Sequence, residues 1–359
     1  MGAPLSNVGG MQRVAMELHS ALEARGDVEL QTMALRSSWR WVHVRSVPFL
    51  ASVGARLPRL AKRFSADAVL FTSMTTALPL LVAGRSLRSH GVRVAAIAHG
   101  LDVTDTNPAY QTALRRIVPH LDLVMPVSRA TGEQLEALGL PKERIQVVHN
   151  AVDVERFASA TKAASSRSLR VGEHQLAEDA FLLVAVGRQV RRKGFSWFIE
   201  HVIPKLPDRV HLWLAGDGPE RSAIEGAIAS NGLGSRVRCL GKVSEADLIS
   251  LYARADLFVM PNIPVPGDME GFGIVMLEAG ACGVPTLAAA LEGIRDVIEE
   301  GVNGWLCTSG DADGFADRIL TLLDSPEALG EMRARTADYV SSTFRWEHAA
   351  GRYLDALAD

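Results

Sequence analysis

Glu270 and Glu278 stand eight residues apart, on either side of a glycine-rich turn, in the segment Pro261 to Pro285, PNIPVPGDMEGFGIVMLEAGACGVP. An ionised carboxylate accepts paired hydrogen bonds from a vicinal diol. The apolar run Leu257 to Met260 reads as a buried strand, the Pro and Gly residues after it as a loop, and Ile274 to Ala281 as a helix. Glu270 therefore precedes the helix and Glu278 lies within it. From Gly273 to Glu278 the helix rises ~7 Å at about 1.5 Å per residue, so the two acids reach separate groups. Between them the helix N-terminus offers unpaired N–H groups suited to phosphate or sugar oxygens, and Gly271 and Gly273 let the backbone come close to them.

A second set of residues carries the opposite charge. Arg188 follows the apolar run FLLVAVG directly, and Lys193 comes five residues later with Arg191 and Arg192 between them, on a solvent-facing loop before a helix from Phe195. Four cations there need an anion. Arg offers a planar fork to phosphate oxygens and Lys a compact point charge. His99 ends the run VRVAAIA and is followed by Gly100, which places it at the crevice beyond the strand ends of a parallel sheet. A histidine at a strand end also serves as an ordinary structural residue, and the sequence does not decide what Asp102 binds.

Weaker patterns sort by their context. Asp311 and Asp313 form an Asp-x-Asp pair, but at a helix start, where Asp caps free N–H groups. Gly216-Asp217-Gly218 is only part of a dinucleotide loop. Two glutamates can serve as the acid and the nucleophile or base of a glycoside hydrolase. A hydrolase has no need of the adjoining cation cluster.

The segment from Pro261 to Pro285 resembles the Glu-x7-Glu signature of the retaining, sugar-nucleotide-dependent glycosyltransferases of family 4, the glycosyl transferases group 1. GRQVRRKG from Gly187, LAGDGPE from Leu214, LGKVSEADLISLYARADLFVMPN from Leu240 and NGWL from Asn303 follow the family's order and spacing. The N-terminal half matches more thinly, through VGGMQR at Val8, AHGLD at Ala98, PVS at Pro126 and HNAVDVERF at His149. The resemblance implies an α/β protein with two Rossmann-like domains facing a deep cleft, the GT-B fold, with the donor mainly on the C-terminal domain. Arg188 and Lys193 are then expected on the diphosphate, Glu270 on hydroxyls of the donor sugar with the amides of Phe272, Gly273 and Ile274, and Glu278 on the ribose. His99 is expected against the sugar, Val243 and Gly218 beside the nucleobase through main chain, and Gly10 in the N-terminal glycine loop. The donor is a nucleoside diphosphate sugar such as GDP-mannose or a UDP-hexose, the hexose is of mannose or glucose type, and the acceptor stays open, with a lipid or polysaccharide precursor suggested. No metal or other cofactor is expected. Retention is expected by a front-face route in which the leaving phosphate deprotonates the acceptor, so no enzyme nucleophile is named. A sugar-phosphate phosphorylase of similar fold and a catalytically silent nucleotide-sugar-binding subunit are the alternatives.

These residues need scaffolding, and 359 residues suffice for two domains with their own cores. Short apolar runs at Val28 to Ala34, Ala68 to Thr72, Val92 to Ala98, Leu121 to Val127 and Ile145 to His149 read as strands of a first parallel sheet. Phe181 to Val186, Val210 to Ala215, Arg236 to Leu240, Leu257 to Met260, Thr286 to Ala289 and Gly304 to Cys307 make a second. The expected division is 1–157 for an acceptor-side domain, 158–179 for a linker, 180–342 for the donor domain and 343–359 for a helix packing back on the first. The family pattern sets an apolar strand before the glycine loop, but Met1 to Val8 contains Gly2 and Pro4 and makes a poor central strand. Either the natural start lies upstream or the first sheet is rearranged.

Charge is uneven along the chain. Residues 1–150 hold 17 Lys and Arg against 11 Asp and Glu, and the rest holds 21 against 30. From Leu30 to Ala66 there are seven cations (Arg36, Arg40, Arg45, Arg56, Arg59, Lys62, Arg63), no acid, and Trp39, Trp41, Phe49 and Phe64 interleaved. Peripheral contact with a membrane surface or an anionic acceptor fits that pattern. An amphipathic helix pair with its apolar side packed on its own domain fits it somewhat better. Nucleic acid is not expected, since no binding motif accompanies the patch. No run reaches the ~20 apolar residues that cross a bilayer, and the N-terminus has no signal-peptide pattern. Three scattered cysteines, Cys239, Cys282 and Cys307, read as buried thiols, and a cytoplasmic protein, with or without contact at the inner membrane face, is expected.

Overall fold

A computed structural model of the chain describes residues 9–358 apart from Arg36, Ser38 and 164–168. The expectation for Met1 to Val8 lies outside the described residues. The chain forms two compact units. The first comprises the residues up to Asn150 together with Gly267–Phe272 and Trp346–Asp359, and the second comprises Ala151–Pro266 and Gly273–Arg345.

In the first unit three parallel strands, β1 (Ala68–Phe71), β2 (Arg93–Ala98) and β3 (Leu123–Pro126), lie in the order β1-β2-β3. β2 and β3 read as unbroken apolar runs because helices cover a parallel sheet on both faces. Met74, Leu80, Leu87, Leu114 and Ile117 pack on them with no more than 1% exposure. The helix Gly10–Glu23 buries Val14, Leu18 and Leu22, one residue per turn. It packs against the helix Trp346–Ala358, where Trp346 Nε1 donates to Glu17 Oε2 at 2.6 Å.

Three expectations for this unit need correction. Val28 to Ala34 is neither helix nor strand and is mostly exposed. A strand exists only when a neighbour's backbone pairs with it, and this run has none among the described residues. Ile145 to His149 pairs with β3 through a single bridge at Ile145, supported by Gln146 N–H to Val124 O at 3.1 Å and Val148 N–H to Pro126 O at 3.0 Å. In place of a helix pair, Trp39–Phe64 is one helix of 26 residues with Pro48 and Pro58 inside it.

The second unit holds a six-stranded parallel sheet. Its strands are β6 (Phe181–Val186), β7 (Val210–Ala215), β8 (Val237–Gly241), β9 (Leu257–Met260), β10 (Thr286–Ala289) and β11 (Gly304–Cys307), in the order β11-β10-β9-β6-β7-β8. A two-stranded hairpin, β4 (Arg170–Val171) with β5 (His174–Gln175), precedes it. The region expected as a linker from 158 to 179 therefore carries this hairpin and the end of the helix Val154–Ala163. The second unit starts at Ala151 rather than after 157, and Gly267–Phe272, expected in the C-terminal domain, groups with the first unit. Of the three cysteines only Cys282 is fully buried, while Cys239 and Cys307 are half-buried.

Candidate active site

Strand order in the second unit dictates where a ligand can lie. β7 and β8 are added on one side of β6, and the chain then crosses to β9 on the other, so the order reverses between β6 and β9. In an open parallel sheet the loops leaving the two strands at such a reversal diverge and open a crevice at their carboxyl ends. The loop after β6 carries Arg188 and Lys193, and the segment after β9 leads to the helix Ile274–Ala281 with Glu278. Cations and acid thus flank the same crevice.

Backbone contacts hold these loops. Gly187 N–H donates to Ala215 O at 3.0 Å, Gln189 N–H to Asp217 O at 3.0 Å, and Gly216 N–H to Gly241 O at 2.7 Å, which ties the ends of β6, β7 and β8 together. Gln189 Nε2 adds a bond to Gly216 O at 3.1 Å. A Cβ on Gly218 would stand 2.3 Å from Gln189 O, so only glycine allows the Gly218 and Gln189 main chains to meet. Gly194 has φ +66, and a Cβ there would stand 2.1 Å from Pro261 O. With Ile263 N–H donating to Arg192 O at 2.9 Å, this close approach joins the β6 loop to the segment after β9.

Arg188 and Arg191 are exposed and Arg192 is half-buried, but Lys193 is only 6% exposed, against the expectation of a solvent-facing lysine. Its aliphatic stem folds over the end of β6, with Cε 3.4 Å from where a Gly187 Cβ would be. A long cationic side chain buries its methylenes in this way while its ammonium stays polar-facing. The ammonium is thereby held at the carboxyl end of the strand that starts the crevice.

Gly273 has φ +91 and caps the helix Ile274–Ala281 with no side chain of its own. The cap residue itself makes no side-chain bond to the first-turn amides, the arrangement that receives anions. Glu278, one turn in, is 2% exposed. Tyr252 Oη, at 0% exposure, donates to Glu278 Oε2 at 3.1 Å. A buried acid requires such donors. Val243 is half-buried and immediately precedes Ser244, whose Oγ accepts from Asp247 N–H at 3.1 Å and starts the helix Glu245–Arg254.

The remaining site residues belong to the first unit. A Cβ on Gly271 would lie 1.8 Å from His99 O, so the Gly271 backbone presses directly on the His99 carbonyl, with Glu270 (8% exposed) beside it in sequence. His99 Nε2 lies 2.9 Å from Thr72 O. A carbonyl only accepts, so Nε2 carries a proton, and in that tautomer Nδ1 is left as an acceptor. Asp102, undecided from sequence, accepts from His99 N–H at 2.7 Å through Oδ1 and from Met74 N–H at 2.9 Å through Oδ2. It is a brace for the His99 loop. Phe272 is buried with its ring 5.6 Å from that of His149. Gly10 begins the helix Gly10–Glu23 in open space, so packing makes no demand for glycine there.

Sequence reasoning missed Tyr252, Gln189 and the bracing role of Asp102. Tyr252 had no signal, being 26 positions from its partner. Asp311 does cap its helix, accepting from Gly314 N–H at 2.9 Å, and Asp313 pairs with Lys205 at 2.8 Å. Among the described residues no group of three or more His, Cys, Asp and Glu could hold a metal ion.

The pattern described as Glycosyl transferases group 1 matches residues 180–325, and that described as Glycosyltransferase Family 4 matches residues 8–156. A GDP-mannose-dependent alpha-(1-6)-phosphatidylinositol monomannoside mannosyltransferase of Mycolicibacterium smegmatis is 29% identical over 343 residues, covering 93% of this chain and 88% of that protein. The N-acetyl-alpha-D-glucosaminyl L-malate synthase of Bacillus anthracis is 26% identical over 326 residues, covering 87% and 81%. Among solved structures, Anabaena Alr3699/HepE in complex with UDP superposes with a TM-score of 0.74 at 21% identity, covering 98% of this chain and 96% of that one.

Proposed function

The chain belongs to glycosyltransferase family 4, has the GT-B type of fold, and is a hexosyltransferase using a nucleotide sugar, and from there we propose that its donor is a nucleoside diphosphate mannose or glucose whose anomeric configuration is retained. Mannose from GDP-mannose is favoured, since the relatives include GDP-mannose-dependent mannosyltransferases. A glycolipid or polysaccharide precursor is the proposed acceptor.

The observation that carries the reading is the pairing of Arg188 and Lys193 with the uncapped helix N-terminus and Glu278 on the two sides of the β6/β9 crevice. As the glycosidic bond breaks, negative charge grows on the distal phosphate. Fixed cations and oriented amides stabilise that charge where it develops, and so lower the barrier more than they tighten ground-state binding. Glu278, oriented by Tyr252, accepts from the ribose diol, and Glu270 with the amides of Phe272, Gly273 and Ile274 holds the hexose. His99 Nδ1 accepts from a sugar hydroxyl, and Gly218 and Val243 line the base through main chain. The leaving phosphate takes the acceptor proton, so the chain supplies no nucleophile and the cations do the work a metal does elsewhere. The proposed place of action is the cytoplasm.

A thermal-shift panel of GDP, UDP, ADP and their hexoses, followed by transfer assays with the stabilising donor, tests this, because a ligand of the folded state raises its apparent stability by mass action. GDP and GDP-mannose are expected to stabilise most. Stabilisation by inorganic phosphate and a sugar phosphate, with none by nucleotides, would overturn the reading.

A further inference from the structure

Five of the seven large apolar side chains exposed among the described residues lie on two packed helices of the first unit. On Trp39–Phe64, Trp41 is 50% exposed, Val44 66% and Val47 72%, and on Leu80–Ser89, Leu81 is 48% and Val82 77% exposed. The helices meet at Gly54, where an added Cβ would stand 3.7 Å from Val82 Cβ, and Val47 lies about 10 Å further along the longer helix at about 1.5 Å per residue. The longer helix buries Val53, Leu57 and Ala61 at one residue per turn. Its opposite face turns Arg45, Arg56, Arg59, Lys62 and Arg63 to solvent, and Arg85 and Arg88 are exposed on the shorter helix. Between Glu29 and Asp102 the sequence has ten Lys and Arg, with Asp67 as the sole acid.

Solvation accounts for the cations, but it leaves the exposed Trp and aliphatic side chains unexplained. Large apolar side chains left exposed together on two packed helices mark a contact site, and its occupant follows from what surrounds them. The apolar tips stand within a field of a single sign, and a positive field without precise geometry matches a diffuse negative surface. Trp beside short aliphatics with Lys and Arg on the flanks is the composition of a helix lying in the headgroup region of a bilayer. We propose that the outward face of Trp39–Phe64, continued by Leu81 and Val82, docks this unit on an anionic bilayer. Trp41, Val44, Val47 and Val82 enter the headgroup boundary and the cations meet the lipid phosphates. The proposal goes beyond the transfer reaction and does not depend on it.

Flotation of the full chain with vesicles tests it, using phosphatidylcholine alone and phosphatidylcholine mixed with phosphatidylglycerol. Measurements run at low salt and at about 1 M salt, where the Debye length falls to ~3 Å. Wild type is expected to bind the mixed vesicles and to release as salt rises. Changing Arg56, Arg59, Lys62 and Arg63 together to Gln is expected to weaken binding about 1000-fold at low salt, each cation near an anionic leaflet acting roughly independently. Val44→Asn with Val47→Asn and Val82→Asn is expected to weaken it about tenfold at low salt, by loss of apolar burial. Nucleoside diphosphate affinity, read on the same samples, stays within about twofold in both variants and reports an intact fold. Failure of wild type to bind phosphatidylglycerol vesicles at low salt overturns the proposal, as does full binding by the four-cation variant. A concentration-dependent dimer abolished by the three-valine variant overturns it in favour of a second copy of the chain.

Discussion

Tyr252 donates a 3.1 Å hydrogen bond to Glu278 from a neighbouring helix, and neither side chain is more than 2% exposed. The bond sets the direction of a buried carboxylate before any ligand arrives. Tyr252→Phe keeps the ring and removes the donor. Losing one hydrogen bond to a charged group costs about 1.5 to 3 kcal/mol. Nucleoside diphosphate affinity is expected to fall about tenfold, with a smaller loss of turnover at saturating donor. Calorimetry with the free nucleotide checks it, and unchanged affinity would show that Glu278 is positioned by other contacts.

Glu278→Gln and Glu270→Gln should separate, because the two acids belong to different parts of the donor. Glu278→Gln is expected to weaken free nucleoside diphosphate and intact donor alike, whereas Glu270→Gln reduces turnover and donor affinity while sparing the free nucleotide. Equal losses of nucleotide affinity in the two variants would contradict the assignment.

Lys193 and Arg188 differ in burial, and the difference predicts different costs. Arg188→Ala removes an exposed side chain, so the melting temperature is expected to hold while transfer falls. Lys193→Met preserves most of the packed stem over Gly187 and removes the charge, at about 1.5 to 3 kcal/mol of phosphate binding and more in the transition state. Single-turnover kinetics beside thermal melts distinguish the effects. Near wild-type turnover in both variants would remove the diphosphate from this loop.

Gly271→Ala places a methyl group where the His99 carbonyl already stands, 1.8 Å away. The loop must shift, and with it Glu270. Transfer is expected to fall at least about tenfold, since small misplacement of positioning groups is costly. Nucleotide affinity should change little, because Arg188, Lys193 and Glu278 belong to the other unit. Loss of both together would point to general unfolding, which circular dichroism would reveal.

Burial pushes the Cys307 thiol up to about 11, with the nearby carboxylates Asp311 and Glu300 adding to the effect and Arg318 opposing it. The folded protein therefore holds its proton more tightly than the unfolded chain does. This contribution to stability is complete below the ordinary thiol range near 9 and is lost as pH rises towards 11. Alkaline melts of wild type and Cys307→Ser should diverge in that window, wild type losing stability faster, and the native thiol should alkylate slowly at neutral pH because the thiolate is the nucleophile. Rapid alkylation at neutral pH would refute the shift.

Much of the second unit was legible in the sequence. Phe181 to Val186 and Leu257 to Met260 are continuous apolar runs because both faces of a parallel strand are covered. The helix Ile274–Ala281 was readable from the glycines before it, and Gly273 and Gly194 occupy left-handed backbone that favours glycine. Val28 to Ala34 misled because strand-like composition reports a half-buried surface, and pairing needs a partner that composition does not contain. The basic segment was legible in part. The helix expected there packs Val53, Leu57 and Ala61 on its own unit, but whether the apolar side chains of Trp41, Val44 and Val47 face a core or water depends on what packs beside them.

The order and types of Arg188, Lys193, Glu270 and Glu278 were determined by the sequence alone, because strand, loop and helix signals act over a few residues and the parallel sheet then brings strand ends to one edge. Only the tertiary structure decided that Lys193 is buried over Gly187, that Tyr252 orients Glu278, that Asp102 braces the His99 loop, and that Gly271 presses on the His99 carbonyl. Each of these is a contact or a burial between segments that local periodicity does not link. Its energy comes from the removal of water around both partners, and it exists only once the whole chain has packed.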